Sequence, residues 1–294
     1  IQLLKSTFVL IKKNPNILKP TIAQIVISLV IATVLAVSIF GLTLPDEKFR
    51  VISTFAVVIF PLILLFIIPF VFTYYRAAQC WIVYKTFSGK DATYNDGIQR
   101  ARQNTWDLLA IGFLSILFSL IANSLRSRGR KGGIGAVVSI ILHVVAKGIE
   151  EIWDLLGNYL LPASIIPEKH IGEAFAEIKH MKKNIPAALV GVFGIDFVTG
   201  VILGPLFILM FSFAILAGIL IAIVFGNPFF IMIFLYMALI ASVILSVGAS
   251  ILKTIYFTLF YISVAMPDSI SKVYRKDVTN YLLHKKTSVE KAIR

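Results

Sequence analysis

The chain has 294 residues, of which 58% are hydrophobic and only 15% charged, and it carries a formal net charge of +13. A soluble domain carries nearer a quarter charged residues, and several apolar runs here exceed the roughly 18 that mark a membrane helix. This composition excludes an ordinary water-soluble domain and predicts an all-α, polytopic integral membrane protein. The basic residues lie beside the apolar runs rather than on one soluble module, so the expected partners are anionic lipid headgroups and not nucleic acid.

Residues 1–13, IQLLKSTFVLIKK, place Leu3, Leu4, Phe8 and Ile11 at helical spacing with the lysines elsewhere, the pattern of a short interfacial helix. Asn14 and Pro15 break it. A first span is expected from about Ile17 to Leu44, too long for the apolar core of a signal peptide and without a small-residue cleavage pattern, so it reads as a retained span. After the loop Pro45–Arg50, a second span begins near Val51 and stays apolar to about Tyr84, with Pro61 and Pro69 as possible kinks.

FSGKDATYNDGIQRARQ, residues 87–103, reads as a connector and a short helix that Asn104 ends. Trp106 opens a third span to about Leu125. RSRGRKGG, residues 126–133, reads as a turn whose Arg126, Arg128, Arg130 and Lys131 could attract anions at an outer mouth. The fourth span, Ile134–Leu161, differs from the others. It carries His143, Lys147, Glu150, Glu151, Asp154 and Asn158, which fall on an arc of roughly 100° on a helical wheel. Ionisable groups in a membrane helix cost a few kcal/mol each unless they face protein or water. Two readings follow. The carboxylates could line an ion or proton path, or Lys147 could pair with Glu150 and Glu151, three and four residues on, in an internal network.

Residues 168–183, EKHIGEAFAEIKHMKK, form a third amphipathic segment that Asn184 and Pro186 break. A fifth span runs from about Ala187 towards Phe225, with Gly200, Gly204 and Pro205 as places to bend. Gly226, Asn227 and Pro228 make a tight turn before a sixth span to about Met266. Asp196 and Lys253 both fall near mid-depth, where they would form a buried ion pair or a gate. The tail from Ser269 is basic.

A rhythm runs through these elements. Lys12-Lys13-Asn14-Pro15, Arg102-Gln103-Asn104-Thr105 and Lys182-Lys183-Asn184-Ile185-Pro186 each follow a short amphipathic helix and precede a span. The expected organisation is three repeats of one interfacial helix and two spans, at 1–86, 87–167 and 168–266, followed by a basic tail at 267–294. With the N-terminus inside, 20 Lys and Arg lie on cytoplasmic segments and 6 outside, so the positive-inside rule puts both termini in the cytoplasm of a cell-membrane protein.

The KKNP start, the YNDGIQRARQN elbow, the stretch from Trp153 to Pro162 and the GEAFAEIKHMKKN elbow resemble a family of prokaryotic membrane proteins catalogued as a domain of unknown function. More distantly, they look like the multispan domain joined to some glycerophosphodiester phosphodiesterases. The resemblance covers most of residues 1–266 and implies six spans with interfacial elbows. It carries over no catalytic or binding residue.

The single cysteine, Cys80, allows no intrachain disulfide and no cysteine-based metal site, and no HExxH, P-loop, GxSxG or dinucleotide motif is present. No enzyme activity, cofactor or metal is expected. The functional expectation is an ion channel or transporter, homo-oligomeric, lined by the fourth-span stripe. The alternative is a non-transporting membrane scaffold that binds lipid or a partner protein.

Overall fold

In the computed structural model, residues 2–130, 136–180, 185–271 and 274 are described, with side chains outside 1–6, 8, 129–136 and 177–199. All regular structure among them is helical: α1 (Gln2–Lys13), α2 (Lys19–Gly41), α3 (Glu47–Phe87), α4 (Tyr94–Gln103), α5 (Thr105–Arg130), α6 (Ala136–Ile165), α7 (Ile171–His180), α8 (Ile185–Phe225) and α9 (Phe229–Ala265), with 3₁₀ turns at Pro15–Leu18 and Pro267–Ser269. Long apolar runs make helices because a backbone without water must satisfy its own polar groups.

Among the described residues, five helical segments are long and apolar enough to cross a membrane: Pro15–Gly41, Glu47–Phe87, Thr105–Arg128, Gly200–Phe225 and Phe229–Ala265. They suggest a multi-pass membrane protein. The fourth expected span is a helix of 30 residues, α6, but it is not one of the five. Lys147, Glu150, Glu151 and Asp154 lie within eight consecutive positions and keep it from the composition of a simple span. The helices α3 and α8 each have 41 residues and α9 has 37. Each is therefore roughly 55–60 Å long, well beyond the roughly 30 Å of a hydrocarbon core. The prolines Pro61, Pro69 and Pro205 lie inside continuous helix.

Cα packing divides the chain into two compact units. The first holds 1–20, 68–188 and 252–294, and the second holds 21–67 and 189–251.

In the first unit, α5 and α6 form an antiparallel hairpin. Phe118 stacks on Trp153 with ring centroids 4.6 Å apart, and the Trp153 indole donates to the Ser115 hydroxyl at 3.0 Å. The expected turn at 126–133 is helical as far as Arg130, so Arg126 and Arg128 belong to the last turns of α5. Arginine is a good helix former, and one glycine, Gly129, is too weak a breaker to stop a helix already packed on its neighbour. Lys131 lies outside the described residues.

The short helices are fastened by polar side chains. Asn14 caps the 3₁₀ turn by accepting from the Asn16 amide, while its own amide donates to the Thr86 hydroxyl and the Ala92 carbonyl, both at 2.9 Å. A full Schellman cap closes α3: Gly89 takes a φ of 78°, its amide donates to the Thr86 carbonyl, and the Lys90 amide donates to that of Lys85. A capping box opens α4, in which Thr93 and Asp96 satisfy each other's backbone amides. Arg100, only 6% exposed, donates to the carbonyls of Ile165 and Ile166 at the end of α6 and pairs with Glu168. Asp107 accepts from the Ile171 amide at the start of α7 at 3.1 Å. The third expected break, at Asn184, is outside the described residues.

In the second unit, the Gly226-Asn227-Pro228 turn forms as expected. Gly226 has a φ of 65°, the Asn227 amide donates to the Ala222 carbonyl at 3.0 Å, and its side chain accepts from the Phe229 amide. Between α2 and α9, the Thr33 hydroxyl donates to the Leu29 carbonyl, which leaves the Tyr236 hydroxyl to donate to Thr33. Val26, Val30, Val37, Ile52, Phe55 and Ile59 are all exposed, as lipid-facing side chains are.

A Cβ at Gly97 would stand 2.7 Å from the Ala78 carbonyl oxygen, so Gly97→Ala forces α4 off α3 and should cost about 1–3 kcal/mol, read as a lower Tm in detergent. Hydrogen bonds from the Thr93 backbone amide, then its side chain, hold the Asp96 carboxyl below its usual range. Its capping contribution is therefore full above about pH 4 and is lost as pH falls through the depressed value, which amide exchange in the first turn of α4 should register.

Candidate functional site

Each charge in an apolar helix needs a partner, and the first unit supplies partners across helices. Arg76 is the only charged residue between Arg50 and Lys85, and Lys253 is the only one in α9. Both turn towards α6. Lys253, 15% exposed at its side chain, forms an ion pair with Asp154. Asn158 is buried and donates to the Asp154 carboxylate at 2.8 Å, while its own carbonyl oxygen accepts from Arg76. Arg76 Nε also donates to the Thr254 hydroxyl at 3.1 Å. The chain Lys253–Asp154–Asn158–Arg76–Thr254 thus closes over α9, α6 and α3.

One helical turn before Asp154, Glu150 pairs with Arg126 of α5. The expectation that Lys147 pairs with Glu150 and Glu151 along α6 is therefore not how this helix is arranged: Lys147 is exposed and forms no ion pair among the described residues. The antiparallel α5–α6 hairpin carries Arg126 to Glu150, and its rigid, planar fork is better suited to a carboxylate than a flexible lysine on the same helix. Glu151 is half-buried beside Asp154, and His143 is exposed.

Arg126 and Lys253 thus pair with Glu150 and Asp154, Arg76 is held by the neutral Asn158 and Thr254, and Glu151 adds a third carboxylate to the face. Five of the six stripe residues form one graded face: His143 and Lys147 exposed, Glu150 and Asp154 at 36% and 37% side-chain exposure, and Asn158 buried. This face can hold ions or protons at its carboxylates, or simply neutralise itself. Lys253 is paired with Asp154, and the side chain of its expected partner Asp196 lies outside the described residues. Of the basic group, Arg126 joins this site, Arg128 is exposed in α5, and the side chains of Arg130 and Lys131 are outside the description.

Arg76 and Thr254 were not among the residues that the apolar patterning singles out. Arg76 offers a signal in hindsight, as an isolated charge within a 41-residue apolar helix. Among the described residues, no group of three His, Cys, Asp or Glu side chains is placed to hold a metal ion. Comparison with family models, curated proteins and solved structures finds no match.

Asp154→Asn should remove the carboxylate that pairs with Lys253 and cost about 1–3 kcal/mol, whereas Asp154→Asn with Lys253→Met should recover much of that loss. A double-mutant cycle on detergent melting temperatures measures the coupling.

Proposed function

We propose that this chain is an integral membrane protein that passes ions, as a channel or transporter, along the polar face of α6. The observation that carries this reading is that the face stays open. His143 and Lys147 are exposed, and Glu150 and Asp154 keep over a third of their side chains accessible even after finding partners. Facing hydrocarbon, such groups would cost a few kcal/mol each, and a wetted path or the same face of a second copy removes that cost.

In this reading α6 is a sixth span, the chain is three helix-span-span repeats, and both termini are cytoplasmic. Its short helices, 12, 10 and 10 residues long, each precede two long ones, which supports the repeat. The protein assembles as a homo-oligomer, and its elbows and basic tail rest on anionic headgroups. Arg128, Arg130 and Lys131 draw anions to its outer mouth. The resemblance of the elbows to the uncharacterised prokaryotic family is consistent with this arrangement and assigns no activity.

A second reading, a non-transporting scaffold, is favoured by the pairs Arg126–Glu150 and Lys253–Asp154, which neutralise each other without any ion. Flux through liposomes separates the two. The full chain should pass ions, and Lys147→Glu, at an exposed position that leaves the fold intact, should shift the cation-to-anion permeability ratio several-fold towards cations. No flux in either protein over a range of salts and potentials, with insertion confirmed, would sink the transport reading and favour the scaffold.

A further inference from the structure

A second polar site, unconnected with the charges of α6, lies where α3 ends and α4 begins. It is a cleft of about 450 Å³, and its charged lining is balanced: Lys85, Lys90 and Arg100 against Asp91, Asp96 and Glu168. The balance is not uniform in availability. Arg100 is engaged by two carbonyls and one oxygen of Glu168, and one oxygen of Asp96, Oδ2, accepts from the amide and hydroxyl of Thr93. Among the described residues, Lys85, Lys90 and Asp91 form no ion pair, and Lys90 and Asp91 are exposed. The cleft therefore offers a ligand the Lys85 and Lys90 cations and the Asp91 carboxylate, beside the second oxygens of Asp96 and of Glu168, whose side chain is 68% exposed.

Two cations lining one cleft suit a phosphate, and a carboxylate in the same lining suits a positive group joined to it. Trp81 decides which positive group. Its ring already carries the Lys85 ammonium at 4.5 Å and the Arg100 guanidinium at 4.6 Å from its centroid. The indole face that would cage a quaternary ammonium is thus taken, and a cation in this cleft must be held by hydrogen bonds to Asp91. That requires N–H groups. Trp81 and Lys85 also occupy the last two turns of α3, one of the long apolar helices, with Lys85 in its final turn. An indole followed by a lysine near the end of such a helix is the residue pattern of the headgroup layer, and at that level a lipid would reach the cleft without leaving the bilayer.

We propose that this cleft binds the headgroup of a zwitterionic phospholipid bearing a primary amine, a phosphoethanolamine lipid, with its phosphate between Lys85 and Lys90 and its ammonium on Asp91. The site is specific where the basic elbows and tail are merely attractive to negative charge.

The test uses the full chain in detergent, loaded with phosphatidylethanolamine, phosphatidylcholine or phosphatidylglycerol of identical acyl chains, with retained lipid counted by native mass spectrometry. Asp91→Asn and Lys90→Gln alter exposed side chains, and their melting temperatures should match the parent. Phosphatidylethanolamine should be retained at least fivefold over the other two lipids. Asp91→Asn should abolish its advantage over phosphatidylglycerol, and Lys90→Gln should weaken both. Preferential retention of phosphatidylglycerol that Asp91→Asn leaves untouched would overturn the proposal in favour of a simple anion site. Equal retention of all three lipids would remove the site. Displacement of the lipid by equimolar soluble phosphoethanolamine would assign the cleft to a soluble ligand instead.

Discussion

The first unit depends on one constraint: a charge carried well inside an apolar helix must find a polar partner on another helix. Asp154 could not be held in α6 alone, because the positions three and four residues either side of it on its own helix are Glu150, Glu151, Gly157 and Asn158, none of them a cation. The counter-charge comes from Lys253 in α9, and Asn158 passes the connection on to Arg76 in α3. Lys253 and Arg76 are each the lone charge of their apolar stretch. A half-buried pair of this kind adds little net stability over a well-packed apolar contact, but it penalises any arrangement in which one member is left alone. Registration of three helices follows from that penalty rather than from attraction as such.

Around this network, the short helices are fixed by a different chemistry. Asn14, Arg100 and Asp107 each use one side chain to satisfy backbone groups left over at the end of another element. The three positions are not equivalents. Asn14 reaches forward to Thr86 and Ala92, whereas Asn104 turns back on the Arg100 carbonyl to end its own helix. Similar residues before a span therefore do unlike work. Arg100 is the busiest of them, since it caps α6, pairs with Glu168 and covers Trp81, and burial lowers its guanidinium's pKa from the usual range. Its hydrogen bonds and counter-ion are what make a nearly inaccessible guanidinium tolerable.

Much of the helical framework is legible locally. The Gly226-Asn227-Pro228 turn is readable because its glycine must supply a positive φ and its proline cannot continue a helix, and both conditions act over three residues. The break at Asn14-Pro15 is readable for the same reason. RSRGRKGG misleads because charge and glycine resemble a turn by composition, while arginine is a good helix former and α6 packs along the extended end of α5. The stripe on α6 is readable as a face, since helical periodicity alone places Glu150, Asp154 and Asn158 together.

The partners of that stripe are not readable. Composition and periodicity by themselves determine that this chain is helical, that its helices are long and apolar enough for a membrane, and that α6 must turn a charged face towards something polar, because backbone satisfaction and the cost of charge in an apolar medium act on each segment separately. Only the tertiary structure decides that Arg126, rather than Lys147, meets Glu150, that Lys253 meets Asp154, and that Arg76 joins through Asn158. Those choices join residues 24 to 99 positions apart. They depend on which helices are neighbours and at what register, which no single helix encodes.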